Sequence, residues 1–77
     1  MTGQTAGGGL RLWGEVIAIE EDGPGFCAWA VIGENTLKVP LVGDQLQWVQ
    51  LGGRVLLQLT PDGRPAQILD ESKKFLI

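Results

Sequence analysis

Few residues of this 77-residue chain have side chains suited to catalysis. It contains no histidine and a single cysteine, Cys27. A thiol with no histidine to act as general base is poorly activated, and one thiol among scattered carboxylates does not form the ligand cluster of a zinc site. We therefore interpret Cys27 as a buried small hydrophobe. The sequence predicts that the chain is not an enzyme and has no catalytic residues, no metal and no cofactor.

The longest acidic run is Glu20-Glu21-Asp22. Carboxylate oxygens at this density are the ligands that a hard cation such as Ca²⁺ prefers. The run leads directly into Gly23-Pro24-Gly25, however, and that composition is typical of a turn. A solvated charged turn is the favoured interpretation.

Three tryptophans and a few basic residues offer binding chemistry. Aromatic side chains on a β surface stack unpaired bases, and cationic side chains neutralise phosphates. Alternation along one predicted strand places Trp29 opposite Phe26 and Ala28, so Trp29 points outward if those two residues enter the core. The candidate nucleic-acid face consists of Trp13, Trp29, Lys38, Arg54 and Arg64. The alternative role for the tryptophans is to complete the core or a subunit interface.

The distribution of charged residues gives little support to phosphate binding. Residues 1–37 contain one basic and five acidic residues, and residues 38–77 contain five basic and four acidic residues. These balances of −4 and +1 add to the formal net charge of −3. Affinity for nucleic acid grows with the number of phosphates contacted, and scattered bases offer few such contacts.

The chain ends in three apolar residues that follow two lysines. Burying an apolar end is favourable by roughly 25 cal/mol per Å². The end either packs back on its own domain or docks on a partner or a neighbouring subunit. The residues assigned to an interface are Trp48, Phe75, Leu76 and Ile77.

Cysteine usage and hydropathy bear on the cellular location. A lone cysteine cannot form an internal disulfide, and no signal-like segment begins the chain. No apolar run approaches the roughly 20 residues that span a bilayer. We expect a cytoplasmic protein without membrane insertion. Its expected partners are further copies of itself or another protein, with nucleic acid as an alternative.

Turn residues divide the chain into short alternating segments. Twelve glycines and four prolines are spaced without a short period, which is typical of the turns and bulges of a β protein. The predicted organisation is a flexible arm at 1–9, a small β-barrel at 10–70 and a tail at 71–77. Strands are predicted at 10–20, 26–32, 36–41, 54–60 and 65–69, with a short helix or helical turn near 43–50. This pattern indicates an all-β, five-stranded Greek-key barrel like the oligonucleotide/oligosaccharide-binding (OB) fold.

Individual residues make this prediction specific. Apolar residues occupy both odd- and even-numbered positions of the first strand, so both of its faces are apolar. We therefore expect a bend or bulge near Gly14 that lets this one strand contribute to two sides of the barrel. Pro40 predicts an edge strand, because proline cannot donate to a ladder. Val42, Leu46 and Val49 fit one apolar face of a short helix or helical turn, which we favour over an alternating strand through Leu46 and Trp48. The predicted inward positions of the third and fourth strands are Leu37, Val39, Leu41, Val55, Leu57 and Leu59.

The stretch from Gly14 to Gly25, GEVIAIEEDGPG, resembles the opening strand and turn of TOBE and molybdate-binding Mop domains. These are small OB-like barrels that follow transporter ATPases or stand alone as oxyanion-binding proteins. The stretches 37–41, 51–55 and 57–61 keep that family's order of strand, glycine turn and strand. The resemblance covers about residues 10–69. It implies a barrel that self-associates or docks on a partner and binds a small anion.

Two positions differ from the Mop pattern. The polar stretch that precedes the first strand of Mop domains corresponds here to Gly7-Gly8-Gly9-Leu10, which offers an anion only backbone N–H groups. The lysine expected near the end of the fourth strand corresponds to Thr60. We therefore include Thr60 in the candidate ligand face.

Two other resemblances are weaker. The stretches 14–19 and 66–71 are similar to small hydrogenase-maturation chaperones, whose functional cysteine directly after the initiator Met corresponds to Thr2. Residues 55–68 resemble cold-shock-type nucleic-acid binders, without their aromatic-rich basic motifs. The favoured prediction is a non-enzymatic TOBE/Mop-like module that acts through self-association or a protein partner. The alternative is an OB barrel that binds single-stranded nucleic acid.

Overall fold

The computed structural model describes residues 9–75. The elements along the chain are β1 (Arg11–Asp22), β2 (Gly25–Ile32), β3 (Asn35–Leu41), α1 (Gln45–Trp48), β4 (Arg54–Leu59), β5 (Pro65–Ile68) and a C-terminal 3₁₀ helix (Asp70–Phe75). Most of the predicted flexible arm, residues 1–8, lies outside the described residues. So do Leu76 and Ile77 of the predicted interface.

The five strands form one antiparallel sheet in the order β3-β2-β1-β4-β5. β1, β2 and β3 are joined by hairpins, and β4 returns through α1 to lie beside β1, which is Greek-key order. The sheet curls into a half-barrel that brings the two edge strands, β3 and β5, close together. The predicted all-β, five-stranded barrel with a short helix near 43–50 is confirmed, and Pro40 lies in an edge strand as expected.

β1 is long enough to pair with two strands. Its residues 11–15 pair with β4, and its residues 15–22 pair with β2. The change of partner falls at Glu15, which lies opposite Val31 on one side and Arg54 on the other. The expectation that the first strand serves two sides of the barrel is therefore confirmed.

The bulge in β1 lies at Ile17, and the predicted position near Gly14 is wrong. The register with β2 shifts between Val16 and Ala18. The backbone N and O of Val16 are hydrogen-bonded to residues 52–53 of the β3–β4 connection, at 2.9 and 2.7 Å. Because Val16 is tied to the connection on that side, the irregularity falls on the next residue.

Both hairpins close with two-residue turns, Gly23-Pro24 and Gly33-Glu34. The glycine that begins each turn has a positive φ, 65° in the first and 61° in the second. A positive φ at that position is typical of the type II′ turn, whose twist matches the paired strands. The predicted loop at 33–35 is one residue shorter, because Asn35 already pairs with Ile32.

An apolar core fills the inward side of the half-barrel. The predicted inward positions of β3 and β4 are confirmed, with Leu37 and Leu41 half-buried against the others. Phe26 was expected in the core but is 36% exposed, because it lies opposite Leu41 at the end of the ladder. The buried core side chains are Val16, Ala28, Ala30, Val39, Val49, Val55, Leu57, Leu59 and Ile68.

The helical turn buries a different face from the one predicted. Val49 is buried as expected, but Val42 is 54% and Leu46 43% exposed. The helix begins only at Gln45, so Val42 precedes it and lies outside the helical face. The residue that shares the inward side with Val49 is the buried Gln45.

Candidate functional site

The candidate ligand residues fall into three separate groups. Trp13 lies beside Arg54, Trp29 lies beside Lys38, and Thr60 lies in the same turn as Arg64. Arg54 begins β4, and the Thr60 turn follows the other end of that strand. The structure therefore does not bring all six residues onto one continuous face.

The first group stacks a cation on an indole. Trp13 points outward from β1 opposite Leu56, and the Arg54 guanidinium carbon lies 5.5 Å from the centroid of its ring. Contacts of this type are worth about 0.5–1 kcal/mol at exposed sites. The ring therefore orients the guanidinium, and Glu15 is the residue opposite Arg54 in the ladder.

The second group lies on the outer face of β2 and β3. Trp29 and Lys38 are directly opposite in the ladder, which places an aromatic and a cationic side chain side by side. Both also contact acids of β1, since Trp29 Nε1 donates to Glu20 Oε1 at 3.2 Å and Lys38 Nζ lies 3.4 Å from Asp22 Oδ1. Glu20 and Asp22 therefore lie on the same outer face of the sheet as Trp29 and Lys38, whereas Glu21 between them lies on the opposite face.

Cys27 lies on the same outer face as Trp29, two residues away on β2. It is opposite Glu20 in the ladder, and Glu20 is the residue that accepts the hydrogen bond from Trp29 Nε1. The cysteine is 1% exposed, and its expected burial is confirmed.

The third group is a hydrogen-bonded turn. Arg64 N donates to Thr60 Oγ1 at 3.1 Å, Thr60 Oγ1 donates to the Asp62 carboxylate, and Arg64 Nε donates to Asp62 Oδ2 at 3.0 Å. The hydrogen bonds from Thr60 and then Arg64 lower the pKa of Asp62. An oxyanion approaching Thr60 would meet that carboxylate, so this turn is poorly suited to anion binding.

Most basic side chains are already neutralised by acids of the same chain. Four of the six lie in ion pairs of 3.0–3.4 Å, and these pairs are Arg11–Glu71, Lys38–Asp22, Arg64–Asp62 and Lys73–Asp44. A phosphate backbone would have to compete with these carboxylates for each cation. The described surface therefore has little of the free positive charge on which nucleic-acid affinity depends.

Trp48, predicted at an interface, is half-buried against the core and forms a cluster with two charged residues. Its Nε1 donates to Asp44 Oδ1 at 3.2 Å, Lys73 Nζ donates to Asp44 Oδ2 at 3.1 Å, and the same Nζ lies 5.4 Å from the centroid of the Trp48 ring. The hydrogen bond from Lys73, followed by that from Trp48, lowers the pKa of Asp44. The cluster joins α1 to the C-terminal 3₁₀ helix.

Two buried polar residues near this cluster were not predicted. Gln45 is 3% exposed, and its side chain accepts from Val42 N at 3.0 Å and donates to Ile68 O at 2.8 Å. Ser72 is fully buried, and its Oγ accepts from Leu56 N at 3.0 Å. Gln45 links the connection after β3 to the end of β5, and Ser72 fixes the 3₁₀ helix on β4.

A cleft of about 350 Å³ lies between the start of α1 and the end of β5. It is lined by residues 42–45 and 67–70. Two carboxylates, Asp44 and Asp70, give it an acidic character, but both accept hydrogen bonds from the chain itself, from Lys73 and Gln45 respectively. Among residues 9–75, no group of three or more acids or cysteines is placed to hold a metal ion.

Exposed apolar side chains concentrate around the β3–β4 connection. Within the connection itself, Val42, Leu46 and Leu51 are 54, 43 and 64% exposed. Ile17 follows the residue of β1 to which the connection is hydrogen-bonded, and Phe26 lies opposite the last residue of β3. We call this set the connection surface, and its members are Ile17, Phe26, Val42, Leu46 and Leu51.

Comparison with protein-family models, with curated proteins and with solved structures finds no match. The geometry described above is therefore the basis for a functional proposal. Within residues 9–75, no helix combines the length and the apolar character needed to cross a bilayer.

Proposed function

We propose that this chain is a non-enzymatic association module, an OB-like barrel that binds a second copy of itself through the connection surface. The supporting observation is the exposure of Val42, Leu46 and Leu51 within one short connection. Isolated exposed apolar residues are ordinary, whereas several grouped on a small domain mark an interaction site.

A second copy is the partner that the chain's size favours. A domain of this length buries only about 60–65% of the surface of its unfolded chain, so association adds burial that the core lacks. Identical apolar surfaces can meet across a two-fold axis, where each supplies what the other needs.

Self-association is also what the resemblance to TOBE and Mop domains implies. Their oxyanion site receives less support, because the Thr60 hydroxyl is engaged by Asp62 and Arg64. We therefore propose self-association without the binding of a small anion.

The test is sedimentation velocity over a wide range of protein concentrations. The wild-type chain should associate reversibly, and Leu51→Glu should weaken association at least tenfold, because it buries a carboxylate in the contact. Leu10→Glu is the matched control, since Leu10 is 61% exposed but hydrogen-bonds to Leu59 at the far end of β4. A wild-type chain that stays monomeric throughout, or equal loss in both variants, would contradict the proposal.

Single-stranded nucleic-acid binding is a second candidate, favoured by one observation. Trp29 and Lys38 lie side by side on the β2–β3 face, where OB barrels bind oligonucleotides. Stacking on Trp29 would contribute about 1–3 kcal/mol per base. A single-stranded oligonucleotide at low salt should then quench tryptophan fluorescence, and Trp29→Leu should remove most of that quenching. No quenching at low salt would eliminate this candidate.

A further inference from the structure

The C-terminal 3₁₀ helix packs against β4 and extends one side chain to α1, beside the proposed contact region. Ser72 anchors it by accepting from Leu56 N of β4. The next residue, Lys73, reaches α1, where its ammonium group lies 3.1 Å from Asp44 Oδ2 and 5.4 Å from the Trp48 ring centroid. Lys73 therefore covers an aromatic ring that lies between Leu46 and Leu51 of the connection surface in the sequence.

We propose that Lys73 is a movable cover on Trp48, and that its withdrawal adds the Trp48 ring to the surface that a second copy binds. This inference rests on the proposed function and concerns the regulation of the same surface. The ring is half-buried, so its remaining face is the part that the lysine restricts. With the cover in place, self-association is limited to the aliphatic part of the connection surface.

The contacts of Lys73 are suited to a reversible cover. Its side chain is 42% exposed and that of Asp44 is 53% exposed, so water and salt compete for the ion pair. The attachment to β4 through the Ser72 hydroxyl is fully buried by contrast. The lysine side chain can thus swing away while the 3₁₀ helix stays on β4.

The double variant Asp44→Asn, Lys73→Ala removes the cover without changing the net charge. The asparagine amide introduced in place of Asp44 keeps an oxygen that can accept from Trp48 Nε1. The matched control is Asp22→Asn, Lys38→Ala, which deletes another exposed ion pair in the same way, at 3.4 Å, on the outer face of β1 and β3.

Two readouts test the proposal. Incorporation of 5-fluorotryptophan gives one ¹⁹F resonance for each of the three tryptophans, and the solvent isotope shift of the Trp48 resonance reports its exposure. Sedimentation velocity reports the association constant. In the double variant we expect a larger isotope shift for Trp48 alone and an association constant about fivefold higher, from the loss of one exposed ion pair and one cation–π contact. The control variant should match the wild-type chain in both readouts.

The outcomes separate this inference from the proposed function. An unchanged Trp48 isotope shift in the double variant, or a larger shift without stronger association, would overturn the cover. Salt provides a further check, because added salt should strengthen association of the wild-type chain more than that of the double variant; an equal response contradicts the cover. Failure of the proposed function would give a different result, because Leu51→Glu would then leave the association seen in the wild-type chain unchanged.

Discussion

Replacing Gln45 should destabilise the protein more than the replacement of a small polar residue usually does. The residue is 3% exposed and closes the half-barrel, because its amide joins the start of the β3–β4 connection to the end of β5. In Gln45→Ala, the Ile68 carbonyl loses its 2.8 Å hydrogen bond at a residue that is only 2% exposed. Val42 is exposed, so its N–H can turn to water instead.

The magnitude follows from these burials. A buried carbonyl left without a partner costs about 1–3 kcal/mol. The loss of one buried methylene group, Cγ, adds about 0.8 kcal/mol. The free energy of unfolding should therefore fall by about 2–4 kcal/mol, out of roughly 4–12 kcal/mol expected for a domain of this length. Because 1 kcal/mol shifts the Tm of so small a domain by about 4–8 °C, the variant should melt at least ~8 °C lower.

Urea unfolding followed by tryptophan fluorescence and circular dichroism measures this change. Gln47→Ala is the matched control, since Gln47 belongs to the same helix but is exposed, and it should change stability by less than about 0.5 kcal/mol. Gln45→Glu sharpens the test, because it keeps the shape but points a carboxylate oxygen at the Ile68 carbonyl. It should cost at least as much as the alanine variant. Equal stabilities of Gln45→Ala and Gln47→Ala would refute the reasoning.

Three further outcomes are expected. Gly9→Ala should destabilise the domain in thermal melts, because an added Cβ would lie 1.7 Å from the Leu59 carbonyl oxygen, whereas at Gly25 a Cβ meets no atom within 4 Å and alanine should be tolerated. Trp29→Ala should speed the reaction of Cys27 with a thiol reagent, and an unchanged rate would mean that the indole does not shield the thiol. The stability that Asp44→Asn removes should be constant at neutral pH and shrink as the pH falls below 3.8 toward the lowered folded-state pKa, because a carboxyl whose pKa is lowered on folding stabilises fully above its unfolded value and loses that stabilisation as it is protonated. A difference that grew on acidification would contradict that assignment.

The strands and turns of this fold could be predicted because they depend on local chemistry. Alternation identified the inward residues of β3 and β4, and the edge position of Pro40 followed from its missing N–H. The bulge was misplaced because its cause is long-range, the attachment of residues 52–53 to Val16. The inward face of α1 was wrong because a helix of four residues is too short for periodicity to define a face.

The candidate site was less predictable, because its groupings depend on register and on distant contacts. The pairing of Trp29 with Lys38 depends on the length of the turn between β2 and β3. We predicted this turn to be one residue longer than it is. Asp44 was not expected to matter, since its partner Lys73 lies in another element. No local pattern distinguishes the buried Gln45 from the exposed glutamines beside it.

Pro40 has a consequence for how the protein behaves at high concentration. Because Asn35 and Ile32 close a two-residue hairpin, the odd-numbered residues of β3 bond to β2 and the even-numbered ones direct their backbone groups outward. Pro40 falls on an outward position, where it presents no N–H to a passing strand, and Lys38 adds a charge beside it. Growth of the sheet from molecule to molecule is therefore disfavoured along the β3 edge, which works against fibril formation from this side of the sheet.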